Sequence, residues 1–219
     1  MNLSPSNYNS IAAIFEYPQD DYKDKVGEVF QLLRSDYPDL AETFQFFSDF
    51  VAKSSRTEIE EIYTRTFDVQ AITTLDIGYV LFGDDYKRGE LLANLSREQL
   101  AAKNNCGTEL ADFLPNVLRL LPKMEDEVLR EELVKKIILT SLAKIVSEFD
   151  EKKIDKKNQV YLKHHKTMIA DSEEFKTIYV KPLTVIKKMI ERDFKVEWIE
   201  EDITLVNFTN QLANEIKLF

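Results

Sequence analysis

Cysteine occurs once in this 219-residue chain, at Cys106, which excludes an internal disulfide and any cage in which several cysteines hold a metal. No histidine lies near Cys106 in sequence, so no nucleophilic role is assigned to it. Glycine is scarce as well: five scattered residues do not build a glycine-rich phosphate loop, and nucleotide hydrolysis through one is not expected. Histidine is limited to the adjacent pair His164 and His165. On a helix these point about 100° apart and do not face one metal, and no HExxH or serine-nucleophile motif accompanies them. No apolar run approaches the roughly 20 residues needed to span a bilayer. The start, Met1-Asn-Leu-Ser-Pro-Ser, lacks the basic segment and apolar run of a secretory signal, so membrane insertion is not expected and a cytoplasmic location is. Basic charge is also in short supply, with 29 Lys and Arg against 39 Asp and Glu, a net charge of -10. Such a field repels phosphates, which disfavours nucleic acid and anionic lipid, and attracts basic peptides.

What is present is material for helices. Hydrophobic residues make up 44% of the chain and proline only six positions, so an all-α fold with a sizeable core is expected. Residues 10–17 form a short first helix, stopped by Pro18 and followed by the acidic turn Gln19-Asp20-Asp21. Val26, Val29, Phe30 and Leu33 mark a second helix closed at Pro38, and Leu40, Phe44, Phe47 and Val51 a third over 40–53. Thr57 with Glu60 has the capping-box pattern for a fourth, which ends near Asp68. Residues 71–82 carry one charge, Asp76, and predict a helix buried on most sides. An amphipathic helix follows over 88–103, with its stripe at Leu91, Leu92, Leu95 and Leu100 and a turn at Asn104-Asn105-Cys106-Gly107. Asp112 reads as the N-cap of a helix that holds Pro115 in its first turn and ends at Pro122.

Further on, Val128, Leu129, Leu133, Ile137, Ile138, Leu142, Ile145 and Val146 predict a long helix over 126–150, and the charged run 150–157 a solvated linker or helix end. A helix over 158–170, a break at Lys181-Pro182, a helix through Leu183–Ile190 and a strand-like alternation over 194–199 complete the reading. Residues 1–172 are taken as the main helical domain and 173–219 as a C-terminal helix and extended tail packed on it.

Two regions carry residues suited to recognition rather than to architecture alone. The first runs Tyr63-Thr-Arg-Thr-Phe67-Asp68 to Phe82-Gly83-Asp84-Asp85-Tyr86-Lys87-Arg88-Gly89; the second is Glu109-Leu110-Ala111-Asp112-Phe113-Leu114-Pro115. Each sets carboxylates or an arginine at helix boundaries beside aromatics, which is how a groove takes a basic, apolar peptide. Tyr63, Phe67, Tyr79, Phe82, Tyr86 and Phe113 are the candidate walls, and Asp68, Asp76, Asp84, Asp85, Glu109 and Asp112 the candidate charges. Plain core packing competes for the aromatics, above all Phe67 and Phe82, and Arg88 is a candidate internal partner of Asp68 or Asp112.

In order, spacing and residue type these segments resemble the TorD/DmsD/NarJ family of molybdoenzyme assembly chaperones, nearest to the NarJ (nitrate reductase delta subunit) branch, and Phe15-Glu-Tyr17-Pro18 is similar to that branch too. The resemblance covers about residues 10–165. It implies a single-domain, all-helical cytoplasmic chaperone, monomer or homodimer, without catalytic step, metal or cofactor of its own. Its partner would be the N-terminal segment of a molybdopterin oxidoreductase catalytic subunit, held back from docking or export until its cofactor is inserted. The implied peptide-contacting and signature positions are Tyr63, Phe67, Asp68, Gly83, Arg88, Glu109, Asp112 and Pro115. Where the nitrate reductase branch tends to carry Glu and His, this chain has Tyr79, Val80 and Phe82, and Phe113 follows Asp112, so the client is left open. Two other classes remain beside this one: a non-catalytic helical adaptor for a different basic partner, and an all-α hydrolase with Asp84, Asp85 and Asp112 around a divalent ion.

Overall fold

The computed structural model describes residues 4–157 and 177–196, which form helices and no strand. Helix α1, Pro5–Ala13, is capped by the Ser4 hydroxyl and has Pro5 at its first position, where no backbone donor is lost. It therefore begins and ends earlier than the stripe at Ile11, Ile14 and Phe15 suggests; the last two are buried just beyond it. α2 (Tyr22–Asp36) and α3 (Pro38–Lys53) are joined by Tyr37 alone, so Pro38 both closes one helix and opens the next. α4, Arg56–Phe67, has its capping box two residues earlier than expected, with Ser55 and Glu58 in place of Thr57 and Glu60. Glu60 instead pairs with Arg56 at 2.6 Å.

The largest departure from the sequence reading is at 71–82. Only Ile77–Phe82 is helical (α5), and residues 71–76 form a non-helical strap, bent at Ile72 and Leu75, after Gln70, whose φ is 53°. The β-branched run Ile72-Thr73-Thr74 disfavours helix, and tertiary hydrogen bonds complete the choice. Leu114 N–H donates to Leu75 O at 2.8 Å and Ile77 N–H to Asp112 O at 3.0 Å, so Asp76 and Phe113 form an isolated antiparallel bridge. Nor is α5 buried all round, since Tyr79 is 43% exposed.

α6 (Tyr86–Ala101) is capped by Asp85 and buries Leu91 and Leu95, but its stripe stops a turn early and Leu100 is 80% exposed. α7, Leu114–Leu120, holds Pro115 in its first turn, as expected, and passes into a 3-10 turn, Leu121–Lys123. Its cap position is Phe113 and no side chain caps it; the Asp112 carboxylate points inward instead. The long helix is present as α8 (Glu127–Glu132) and α9 (Leu139–Ser147), continuous through a π-wound segment, Leu133–Ile138, with Val128 outside the apolar stripe. Residues 151–157 are helical rather than a solvated linker, anchored by buried Ile154. The helix expected over 158–170 lies outside the described residues.

α10, Val180–Asp193, carries Pro182 in its first turn rather than breaking there, and residues 194–196 form a turn, not a strand. It packs on α3 and α9. Just before it, Tyr179 is the hub of the core: its ring centroid lies 5.1 Å from Phe47, 5.9 Å from Tyr63 and 4.9 Å from Phe67. Tyr22 and Tyr179 share a hydrogen bond at 3.0 Å, and Tyr22 donates to Ile14 O at 2.7 Å. Phenols this deep need such partners, since an unpaired polar atom in a core costs about 1 to 3 kcal/mol.

Candidate functional site

Beside this aromatic core a cleft of about 430 Å³ opens between four segments distant in sequence. The stretch after α1 supplies Glu16, Tyr17 and Gln19; the end of α4 supplies Tyr63, Phe67 and Asp68; the strap gives Thr74, Leu75 and Asp76; and the loop before α7 gives Glu109 and Phe113. Tyr17 and Tyr63 meet edge to face at 5.6 Å, and Tyr63 meets Phe67 at 5.1 Å, so the aromatic wall continues into the core. The Tyr63 hydroxyl donates to Phe15 O at 3.0 Å. Burial drives its pKa up, leaving it a neutral ring with its polar end already used.

Among the described residues the lining holds four carboxylates and no cation. Glu16 is paired with Arg119 at 2.7 Å and Asp76 with Arg88 at 3.1 Å, whereas Asp68 and Glu109 make no ion pair among the described residues. Asp76 sits in the most crowded charge environment, between Arg88 and Asp112. Burial and the neighbouring Asp112 raise its pKa, and Arg88 only partly offsets this.

Behind Asp76 lies a second layer. Arg88 Nε donates to Asp112 Oδ2 at 3.1 Å while its Nη2 serves Asp76, and its guanidinium stacks over Tyr79 at 5.2 Å. Asp112 is 0% exposed and its Oδ1 has no partner. The expected tie between Arg88 and Asp112 is thus present, and Asp112 belongs to the support of the cleft rather than to its surface.

Of the residues singled out from the sequence, Tyr63, Phe67, Asp68, Asp76, Glu109 and Phe113 converge on the cleft. The others do not line it. Gly83 ends α5 at φ 59°, a conformation that favours glycine. Phe82 is half-buried against the core, Asp84 and Tyr86 are exposed, and Pro115 is buried in α7. Asp85 accepts the Lys87 N–H as a helix cap. Among the described residues no group of three or more side chains is placed to hold a metal, and Asp84, Asp85 and Asp112 are not gathered together. Sequence reasoning omitted Glu16, Tyr17, Gln19, Thr74 and Leu75 from the site. The Tyr17-Pro18 step was the available signal, because a residue before proline is held extended and leaves the helix.

The loop that presents Glu109 and Phe113 is fixed from below by buried amides. Asn116 Nδ2 donates to Leu110 O at 3.0 Å and Cys106 O at 3.3 Å; Asn104 Nδ2 donates to Gln99 Oε1 at 2.6 Å and Asn116 O at 3.0 Å. Lys123 Nζ completes the set on Asn104 Oδ1 at 2.6 Å. Burial raises the Cys106 thiol pKa, which makes it a poor nucleophile.

Fold and site together define an all-α protein with an acidic, aromatic-walled cleft. Compared with known proteins, the chain matches no family model, no curated protein and no solved structure.

Proposed function

We propose that this protein is a peptide-binding chaperone of the TorD/DmsD/NarJ type. Its client would be the basic, partly apolar N-terminal segment of a molybdopterin oxidoreductase catalytic subunit, bound in the cytoplasm before the subunit is docked or exported. The observation that carries the reading is the lining of the cleft: aromatic faces beside four carboxylates and, among the described residues, no cation, drawn in part from segments on which the resemblance rests, 15–18, 63–68 and 109–115, while 82–89 does not reach it. A cationic side chain of the client meets Asp68 and Glu109, which have no ion pair among the described residues, and its apolar neighbours lie on Tyr17 and Phe113. The chemistry needed is recognition and release, without bond making. That no helix among the described residues is long and apolar enough to cross a membrane is compatible with this reading.

The test is calorimetric titration of the full chain with a peptide of the N-terminal segment of a molybdopterin oxidoreductase subunit encoded beside it. Asp68→Asn and Glu109→Gln are the informative variants, because Tyr63 and Asp112 are buried and their replacement disturbs the fold. Saturable binding weakened in both variants supports the proposal. Binding that both leave unchanged, or none at low salt, removes it and leaves an adaptor with another partner.

A further inference from the structure

A second hollow, of about 560 Å³, borders the same strap and shares Thr74 with the acidic cleft, yet its charge is reversed. Lys144 of α9 and Lys153 and Lys157 of the following helical stretch converge on it, against one carboxylate, Glu148. In a chain of net charge -10 this is a concave, locally positive surface. Its remaining wall is partly apolar, with Tyr79 and Val80 of α5.

Glu148 is already engaged, accepting from Lys153 at 3.0 Å and Lys157 at 2.7 Å. Burial works against its ionisation, but these hydrogen bonds outweigh it and hold the carboxyl below its ordinary range. An ammonium has three N–H donors. Lys153 gives a second one to Ser147 Oγ at 2.9 Å, and Lys157 gives one to Ile72 O, which tethers the helical stretch to the strap. Among the described residues each keeps a donor, and Lys144 has no acceptor. The arrangement differs from the i,i+4 pairs on the helix surfaces, such as Lys135 with Glu131, where each cation has its own acid.

We propose that this hollow binds a small dianion, a phosphate monoester or a dicarboxylate, with its anionic oxygens on Lys144, Lys153 and Lys157 and a flat apolar body against Tyr79 and Val80. The three ammonium groups supply charge-assisted hydrogen bonds, and the walls exclude water from one side of them. This site is independent of the peptide reading.

Titration calorimetry of the full chain with phenyl phosphate, inorganic phosphate and phthalate tests it. Saturable one-site binding is expected, with phenyl phosphate held about fivefold tighter than inorganic phosphate through the ring contact. Lys144→Gln is expected to weaken it about tenfold without altering the melting temperature, because the removed interaction is one charge-assisted hydrogen bond. Tyr79→Ala should bring phenyl phosphate down to the level of inorganic phosphate, and Lys188→Gln, in a basic patch on α10, should change nothing. Binding of phthalate but not phenyl phosphate would assign the site to dicarboxylates, and the reverse to phosphates, both within the proposal. Failure of all three probes to saturate, or equal losses in Lys188→Gln and Lys144→Gln, would overturn it as mere charge attraction.

Discussion

Gly78 stands where α5 passes the buried carboxylate of Asp112. A Cβ there would lie 2.6 Å from Asp112 Oδ2, 3.1 Å from a Leu91 methyl and 3.4 Å from Arg88 Cγ. Asp112 is tied to Arg88 and Leu91 is in the core, so neither has room to retreat. Gly78→Ala is expected to lower the unfolding free energy by about 1 to 3 kcal/mol, read by urea denaturation; an unchanged midpoint would mean that Asp112 turns aside without cost. Asp76 carries a different prediction. Its pKa is raised above 3.8 by burial and by Asp112, so as the pH falls it gains its proton earlier than an ordinary aspartate and the cleft loses negative charge earlier. Affinity for a cationic peptide should therefore decline as the pH falls toward the carboxylate range, starting at a higher pH than an ordinary aspartate would give, and Asp76→Asn should flatten that decline. An equally steep profile in the variant would assign the titration to other groups.

At the scale of the element, α10 is held by its ends and by one face. Asp193 at its C-terminus accepts the hydroxyls of Tyr8 at 2.9 Å and Tyr37 at 2.7 Å, one from α1 and one from the α2–α3 junction. Burial, followed by the Asp193 charge, raises the pKa of Tyr8, which keeps that phenol a donor throughout the neutral range. Arg192 adds a bidentate but exposed pair with Asp39, where the hydrogen bond to Arg192 lowers the carboxyl pKa to about 2. Asp193→Ala leaves both phenols without their acceptor and is expected to cost about 2 to 3 kcal/mol in chemical denaturation. Arg192→Ala, on the surface, should cost less. Equal effects would show that α10 is held mainly by Leu183, Ile186, Met189 and Ile190. The same element shows where pattern reading ends: Pro182 was read as a break, yet proline in a first turn removes no helical hydrogen bond.

Across the whole molecule, charge is separated along one strap, acid at one cleft and base at the other, within a net charge of -10. Peptide association is then expected to be steered by the field. Its affinity should fall about tenfold between roughly 0.03 M and 0.3 M salt, and less in an Asp68→Asn, Glu109→Gln double variant. A salt-independent affinity in the parent chain would place the binding energy in the apolar wall alone.

Helix periodicity is a local property, written in contacts between residues three or four apart, and so α2, α3, α4 and the 126–150 helix were legible from their apolar stripes. Charge balance and the scarcity of glycine and cysteine were legible for the same reason, since they need no partner. Direction was not. Asp112 has the residue type and position of a helix cap, but its partner Arg88 is 24 positions away, and the pull of a half-buried guanidinium outweighs a cap worth about 1 kcal/mol. The segment 71–76 has the composition of a buried helix, yet backbone hydrogen bonds between 75–77 and 112–114 hold it out of the helix. The cleft exists because that strap, the end of α4, the stretch after α1 and the loop before α7 meet, and a meeting of segments so far apart is settled by packing in three dimensions, not by any local pattern.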